Sequence, residues 1–197
     1  MATDAGIKMM YSDLYPVDGI NHFITERFDR KPGGEKIHVQ SLRALNPSAN
    51  DYMNLFWLCE KLHVPEDQKE ELFRRMAFNF IAGVSDDHNR NFSFIMDREG
   101  QWSLSPAYDL MFSSNTWANP AALSHCLGMW TKRAHVTLED FIDFGQDLGI
   151  QDCYGIVREV SKSVASFPDR CQAVGIDGYW ARQIWKVIQE LIPPKFR

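Results

Sequence analysis

The order of apolar and polar residues along this chain predicts a mainly α-helical fold with a small β component. Two observations carry that expectation. First, Pro65 to Gly83 reads as one long helix whose apolar positions nearly surround its second half, and three further helix-like stretches follow near 137–148, 153–166 and 177–191. Second, strand-like runs are few and short: His22–Phe28, Phe92–Met96 and Trp102–Leu104.

Each element has a local reason. The turn Arg30-Lys-Pro-Gly-Gly-Glu35 follows the first strand-like run. Ser48 to Leu62 is helical in character. In the next helix Pro65 suits the first helical position, Glu66 and Asp67 suit the positive end of the helix dipole, and Gly83 ends it. Asp97-Arg-Glu-Gly-Gln supplies turn chemistry between the two later strands, making a hairpin. A loop rich in Ser, Asn and Pro then runs to about Pro120. Thr137-Leu-Glu-Asp140 fits a helix start, with threonine as cap and acids in the first turn.

Composition sets bounds on function. A chain of 197 residues, with 13 Phe, 6 Trp and 6 Tyr spread evenly, has the make-up of one domain or one large lobe with a real core. The formal charge of -5 gives no basic footprint, so direct binding of nucleic acid is not expected. No apolar run approaches a bilayer's thickness and no signal-peptide pattern opens the chain, so the expected location is cytoplasmic. Cys59, Cys126, Cys153 and Cys171 form no CxxC pair, which argues for free thiols rather than disulfides or structural zinc.

The stretch with chemistry in it is Ser85-Asp-Asp-His-Asn-Arg-Asn91. Asp86 follows an apolar helix, and Asn91 lies five residues on, just before a strand. Asp109 comes after the hairpin, which returns the chain toward its start. One carboxylate can take a hydroxyl proton while an amide oxygen and a second carboxylate hold Mg2+, an ion that keeps phosphate oxygens and waters as its other ligands. The protein kinase catalytic loop has the same grammar. Three plainer readings stay open on the residues alone. The cluster can be a solvated turn, Asp86, Asp87 and His88 can ligate zinc or iron as in a metal-dependent hydrolase, and Asp109 can simply cap a helix.

Several segments together resemble the HipA family of serine/threonine kinases, the toxins of HipA/HipB-type toxin–antitoxin systems. That family's catalytic stretch reads roughly Asp-x-His-x-(Lys/Arg)-Asn-Phe-Ser, matched by Asp86-Asp-His-Asn-Arg-Asn-Phe-Ser93. Its Pro-x-Tyr-Asp motif is matched by Pro106-Ala-Tyr-Asp109, and its hinge strand, ending Glu-Arg-Phe-Asp-Arg, by Glu26 to Arg30. His125 and the Thr131-Lys-Arg133 to Asp140 region are similar to the family's C-terminal helical part. The resemblance implies the helical C-lobe of a kinase-like fold, with a catalytic loop, a short hairpin and a C-terminal helical bundle.

The resemblance also implies roles. Asp86 would be the general base, Asn91 and Asp109 the Mg2+ ligands, and ATP would meet Glu26, Arg27, Phe28, His88, Asn89, Arg90, Asn91, Tyr108 and Asp109. Asp29 would lie near the ribose. Phe28, Phe92 and Tyr108 are equally compatible with plain core packing. The expected organisation is a single lobe: a residual linker and hinge strands over 1–30, a catalytic core over 40–112 and C-terminal helices over 120–197.

In this family a Gly-rich loop and a lysine precede the hinge and hold the phosphates. Here Gly6 and Gly19 form no such pattern, and Lys8 is the only lysine ahead of the hinge strand. Met1 to Ile7 resembles the tail of a helix and Tyr11–Tyr15 the next strand. The expectation is a C-lobe without its N-lobe, impaired in phosphotransfer alone. It would be either a kinase lobe acting on a protein Ser or Thr, or a non-catalytic interaction module. Expected partners are a HipB-like antitoxin, a separate N-lobe chain, or a second copy through exposed Phe23, Ile24 and Phe28.

Overall fold

Two small antiparallel sheets and a helical bundle make up the structure, a computed structural model that describes residues 1–113 and 123–197. Strands β1 (Ser12–Val17) and β2 (Ile20–Thr25) form a hairpin turned by Asp18 and Gly19, both at positive φ, with Leu14 opposite Phe23 and Val17 opposite Ile20. The ladder stops at Thr25, short of the Phe28 that the strand-like pattern suggested, and only the Glu26 N–H extends it, to the Tyr11 carbonyl. Residues 1–7 form one closed turn. The Ile7 N–H bonds the Ala2 carbonyl, the Gly6 N–H bonds that of Thr3, and Gly6 sits at φ +81°, the pattern of a helix C-terminus. Ala5 and Ile7 are buried in the core, as befits the helix tail that the sequence resembled.

The second sheet has a strand that the sequence pattern did not reveal. β3 (His38–Ser41) pairs with β4 (Ser93–Met96), which pairs with β5 (Trp102–Leu104), in the order β3-β4-β5. The expected hairpin is therefore present, but its first strand is the middle of a sheet. A four-residue strand with Val39 as its one apolar residue carries too weak an alternation to stand out by itself.

Helix α1 (Leu42–Leu45) is a single turn capped by Ser41, and α2 (Tyr52–Lys61) starts four residues later than Ser48, where the Asp51 side chain accepts from the Met53 N–H. Helix α3 (Glu66–Ala82) starts one residue later than expected, with Pro65 as its N-cap, and stops as expected, with Gly83 in the left-handed region. From Arg75 onward every α3 residue is buried, because α2, α5 and α7 pack around it. Each fully buried Phe, Met or Ile there contributes about 1.5–3 kcal/mol.

Helices α4 (Leu138–Asp147), α5 (Cys153–Ala165) and α7 (Gly178–Leu191) fall where the sequence placed them. Thr137 and Asp140 close a reciprocal capping box on α4. A separate short helix, α6 (Phe167–Ala173), starts directly after α5 with Pro168 in its first turn. The Ser-, Asn- and Pro-rich loop falls largely in 114–122, outside the described residues. Among the described residues, no helix is long and apolar enough to cross a membrane.

Candidate active site

Gly83 turns the chain off α3, and Val84 bonds back to the Asn79 carbonyl, so the 85–91 loop starts at a fixed point on a buried helix. Inside the loop, Asp86 is exposed and its N–H bonds the Ser113 hydroxyl at 2.9 Å. The Asn91 Nδ2 donates to the Asp86 carbonyl at 3.0 Å, and the Asn91 N–H to the His88 carbonyl. The loop therefore curls, as the five-residue spacing suggested. The Asn91 amide nitrogen is thereby turned to the loop.

Beyond the hairpin, the chain returns through an Ala107 N–H bonded to the Lys8 carbonyl, with Met9 bridged to Ala107. Tyr108 then locks the return. Its hydroxyl donates to the Arg90 carbonyl at 2.6 Å and lies 2.6 Å from the Ser93 hydroxyl. One side chain thus ties the end of the loop to the start of β4, and burial pushes its phenol above the usual range. Asp109, next along, adopts φ +57°, uncommon away from glycine though tolerated by Asp. Asn91, Tyr108 and Asp109 line one small cleft with Arg75, Asn79 and Asp87.

The other candidates fall into place less uniformly. His88 lies at the loop's edge, its Nε2 4.0 Å from the Asp86 carboxylate. Arg90 is exposed, with its carbonyl spent on Tyr108. Asn89 turns away: its side chain donates to the Ala49 carbonyl and its own carbonyl accepts from Arg43, so it braces α1 against the loop.

At the hinge, Phe28 stacks on Tyr108 with ring centroids 5.6 Å apart. That stack joins two motifs that are eighty positions apart in sequence, and it half-buries Phe28, in line with the packing reading rather than the exposed-interface one. Arg27 forks onto both Asp29 oxygens, at 2.8 and 2.6 Å, and holds that carboxyl below its usual range, with Arg30 adding to it. Asp29 is thereby engaged by its neighbours. The Glu26 N–H is likewise taken, by Tyr11.

Sequence reasoning missed the residue at the loop's centre. Asp87 is fully buried and accepts from the Tyr52 hydroxyl, His125 Nδ1 and two backbone N–H groups. Asn79 in α3 donates to Tyr52. A polar Asn in the all-round apolar half of α3 was the one available signal. Nearby, the buried Arg75 guanidinium is pushed down by desolvation, opposed by Glu71, whose carboxylate also accepts the Lys8 N–H. Among the described residues no three His, Cys, Asp or Glu side chains cluster as a metal site. The oxygens of Asn91 and Asp109 do fit an ion that draws its remaining ligands from phosphates and water.

A helical lobe with a short hairpin, a curled acidic loop at the end of its central helix and a returning Asp defines the C-lobe class of kinase-like folds. Residues 1–191 match the model of the HipA-like C-terminal domain, and the chain belongs to that family. It is 30% identical over 97 residues to a Haemophilus influenzae protein named "Putative kinase", an alignment covering 42% of this chain and 28% of that one. Among solved structures it is similar to HipA of Shewanella oneidensis MR-1, solved with HipB and operator DNA. That match has a TM-score of 0.72 and 17% identity, and covers 97% of this chain and 52% of that one. It is also similar to the Helicobacter pylori proinflammatory kinase CtkA, with a TM-score of 0.59 and 10% identity, covering 96% of this chain and 78% of that one. The chain thus spans about a quarter of the curated relative and about half of the HipA chain.

Proposed function

We propose that this lobe carries the catalytic half of an ATP-dependent serine/threonine protein kinase. The observation that carries the reading is the convergence of Asn91 and Asp109, from either side of the hairpin, on one cleft beside the exposed Asp86. Asn91 Oδ1 and the Asp109 carboxylate would hold Mg2+; when bound, the ion neutralises charge on the nucleotide phosphates. Asp86 then accepts the proton of a protein Ser or Thr hydroxyl, its place at the loop's mouth leaving room for that substrate. His88 and Arg90 would lie toward the phosphates, and the Phe28–Tyr108 stack gives the nucleotide an apolar wall.

The test is a thermal shift of the purified chain with ATP and magnesium. Ligand at ~100 times its Kd stabilises by ~2.7 kcal/mol, which raises the melting temperature of a domain of this size by roughly 5–10 °C. The shift should need magnesium and vanish in Asp109→Ala. An equal shift in that variant, or none in the wild type at millimolar nucleotide, would refute the reading.

A second reading is favoured by the β1–β2 hairpin, whose residues are exposed on both faces, Phe23 to 70% and Ile24 to 45%. Two strands alone are marginal in water. As an interaction module, the lobe would cover this hairpin with an N-lobe chain, an antitoxin-like protein or a second copy. Sedimentation that gives a monomer at all accessible concentrations, unchanged by Phe23→Ser, would count against self-association.

A further inference from the structure

Asp87 takes no part in the phosphotransfer chemistry just described, yet it is the most heavily engaged side chain of the loop. Its carboxylate is 0% exposed. It accepts the Tyr52 hydroxyl of α2 at 2.6 Å, His125 Nδ1 at 2.9 Å, and the N–H groups of Cys126 and Leu127 at 2.8 and 3.3 Å. The Cys126 N–H also reaches the Ser85 carbonyl, and Asn79 of α3 donates to Tyr52 at 3.0 Å. His125 is held in turn by stacking on Phe80, with ring centroids 4.0 Å apart.

A carboxylate out of water survives only if its oxygens are satisfied, and here the donors come from helix α2 and from a segment nearly forty residues downstream. That arrangement fixes the loop at its middle. Asp86 precedes the anchor by one residue and Asn91 follows it by four, so both inherit its position. Gly83 and Tyr108 hold only the loop's two ends.

We propose that Asp87 is a positioning residue, the anchor through which α2 and the 125–127 segment set Asp86 and Asn91 relative to Asp109. The proposal rests on the phosphotransfer reading of those two residues, but it has a readout of its own. Cys126 is the exposed cysteine of the four, and its Sγ lies 3.7 Å from the Asp86 carboxylate. Cys59, Cys153 and Cys171 are buried. Alkylation by iodoacetamide, followed by mass spectrometry, therefore reports the anchor at Cys126 and global unfolding at the other three.

In Asp87→Asn the amide nitrogen faces donors instead of accepting from them. The expected result is faster alkylation of Cys126 with the three buried thiols still protected. Part of the rise comes from loss of the Asp87 charge, which adds to burial in raising this thiol's pKa; a rise in Tyr52→Phe, which leaves that charge in place, assigns the change to the anchor. Mg-ATP affinity should fall by about 10- to 100-fold, the usual cost of losing a group that orients a metal ligand, while ATP affinity in EDTA stays unchanged. A folded variant with Cys126 reactivity and Mg-ATP affinity both within about twofold of wild type would overturn the proposal. Should all four thiols react, Tyr52→Phe decides. It removes one donor and keeps the ring, and it should shift both readouts in the same direction by a smaller factor; unchanged values would equally overturn the anchor. If the wild type fails to bind Mg-ATP, the phosphotransfer reading fails, and the alkylation rates alone then judge the anchor.

Discussion

Removing the Tyr108 hydroxyl tests whether the loop's end is fixed as described. Tyr108→Phe keeps the ring on Phe28 and deletes two contacts of 2.6 Å, to the Arg90 carbonyl and the Ser93 hydroxyl. Each neutral hydrogen bond is worth about 1 kcal/mol net. Arg90 is exposed, so water can replace the lost donor at its carbonyl, but Ser93 is buried and its hydroxyl loses its acceptor. The expected destabilisation is therefore about 2 kcal/mol, or roughly 4–8 °C in melting temperature for a domain of this size. Urea denaturation of wild type, Tyr108→Phe, Ser93→Ala and the double variant measures it. The two single effects should not add, with a coupling of at least about 0.5 kcal/mol. A Tyr108→Phe loss below about 0.5 kcal/mol, or strict additivity, would show that the hydroxyl does not tie Arg90 to Ser93.

Gly145→Ala in α4 should destabilise although alanine is the better helix former by about 1 kcal/mol, because the new Cβ would lie 2.3 Å from Cys153 Sγ and 3.0 Å from the Phe73 ring. Cys153→Ala should rescue part of the loss, and a more stable Gly145→Ala in urea denaturation would contradict the packing. Partial burial pushes the Asp140 carboxyl up, but Lys132 and Thr137 outweigh it and hold it below its usual range. A depressed folded-state value contributes stability above the unfolded pKa of about 3.9, and that contribution is lost as pH falls through the folded value. Asp140→Asn should therefore cost about 1 kcal/mol at pH 6 and progressively less below pH ~4, as followed by denaturation at each pH. Glu71→Ala would strand the Arg75 guanidinium, which is only 3% exposed, and should cost about 3 kcal/mol or more in the same assay.

Much of this architecture is legible one segment at a time. Pro65, Glu66 and Gly83 mark the ends of α3, Thr137 and Asp140 mark the start of α4, and Asp97 to Gln101 mark a turn. All are local signals, set by the backbone groups that a helix end or a hairpin leaves unpaired. The curl of the 85–91 loop and the return of Asp109 were likewise inferable, because a five-residue spacing and a hairpin constrain where the chain can go. Strand β3 and helix α6 were not legible, since β3 exists only by pairing with β4 more than fifty positions away and α6 is a short continuation broken off at Ser166.

At the site the division follows the same physics. The sequence by itself singled out Asp86, Asn91 and Asp109 as candidates, because their types and spacing are set along a single stretch of chain. It left Phe28 open between an exposed interface and core packing, and Asp87 open between a solvated turn and a zinc or iron ligand. Only the tertiary structure decided between them, stacking Phe28 on Tyr108 and burying Asp87 among donors. Burial is a property of what packs around a residue, and the partners that stack on Phe28 or satisfy Asp87 lie between 35 and 80 positions away, where no local pattern reaches them.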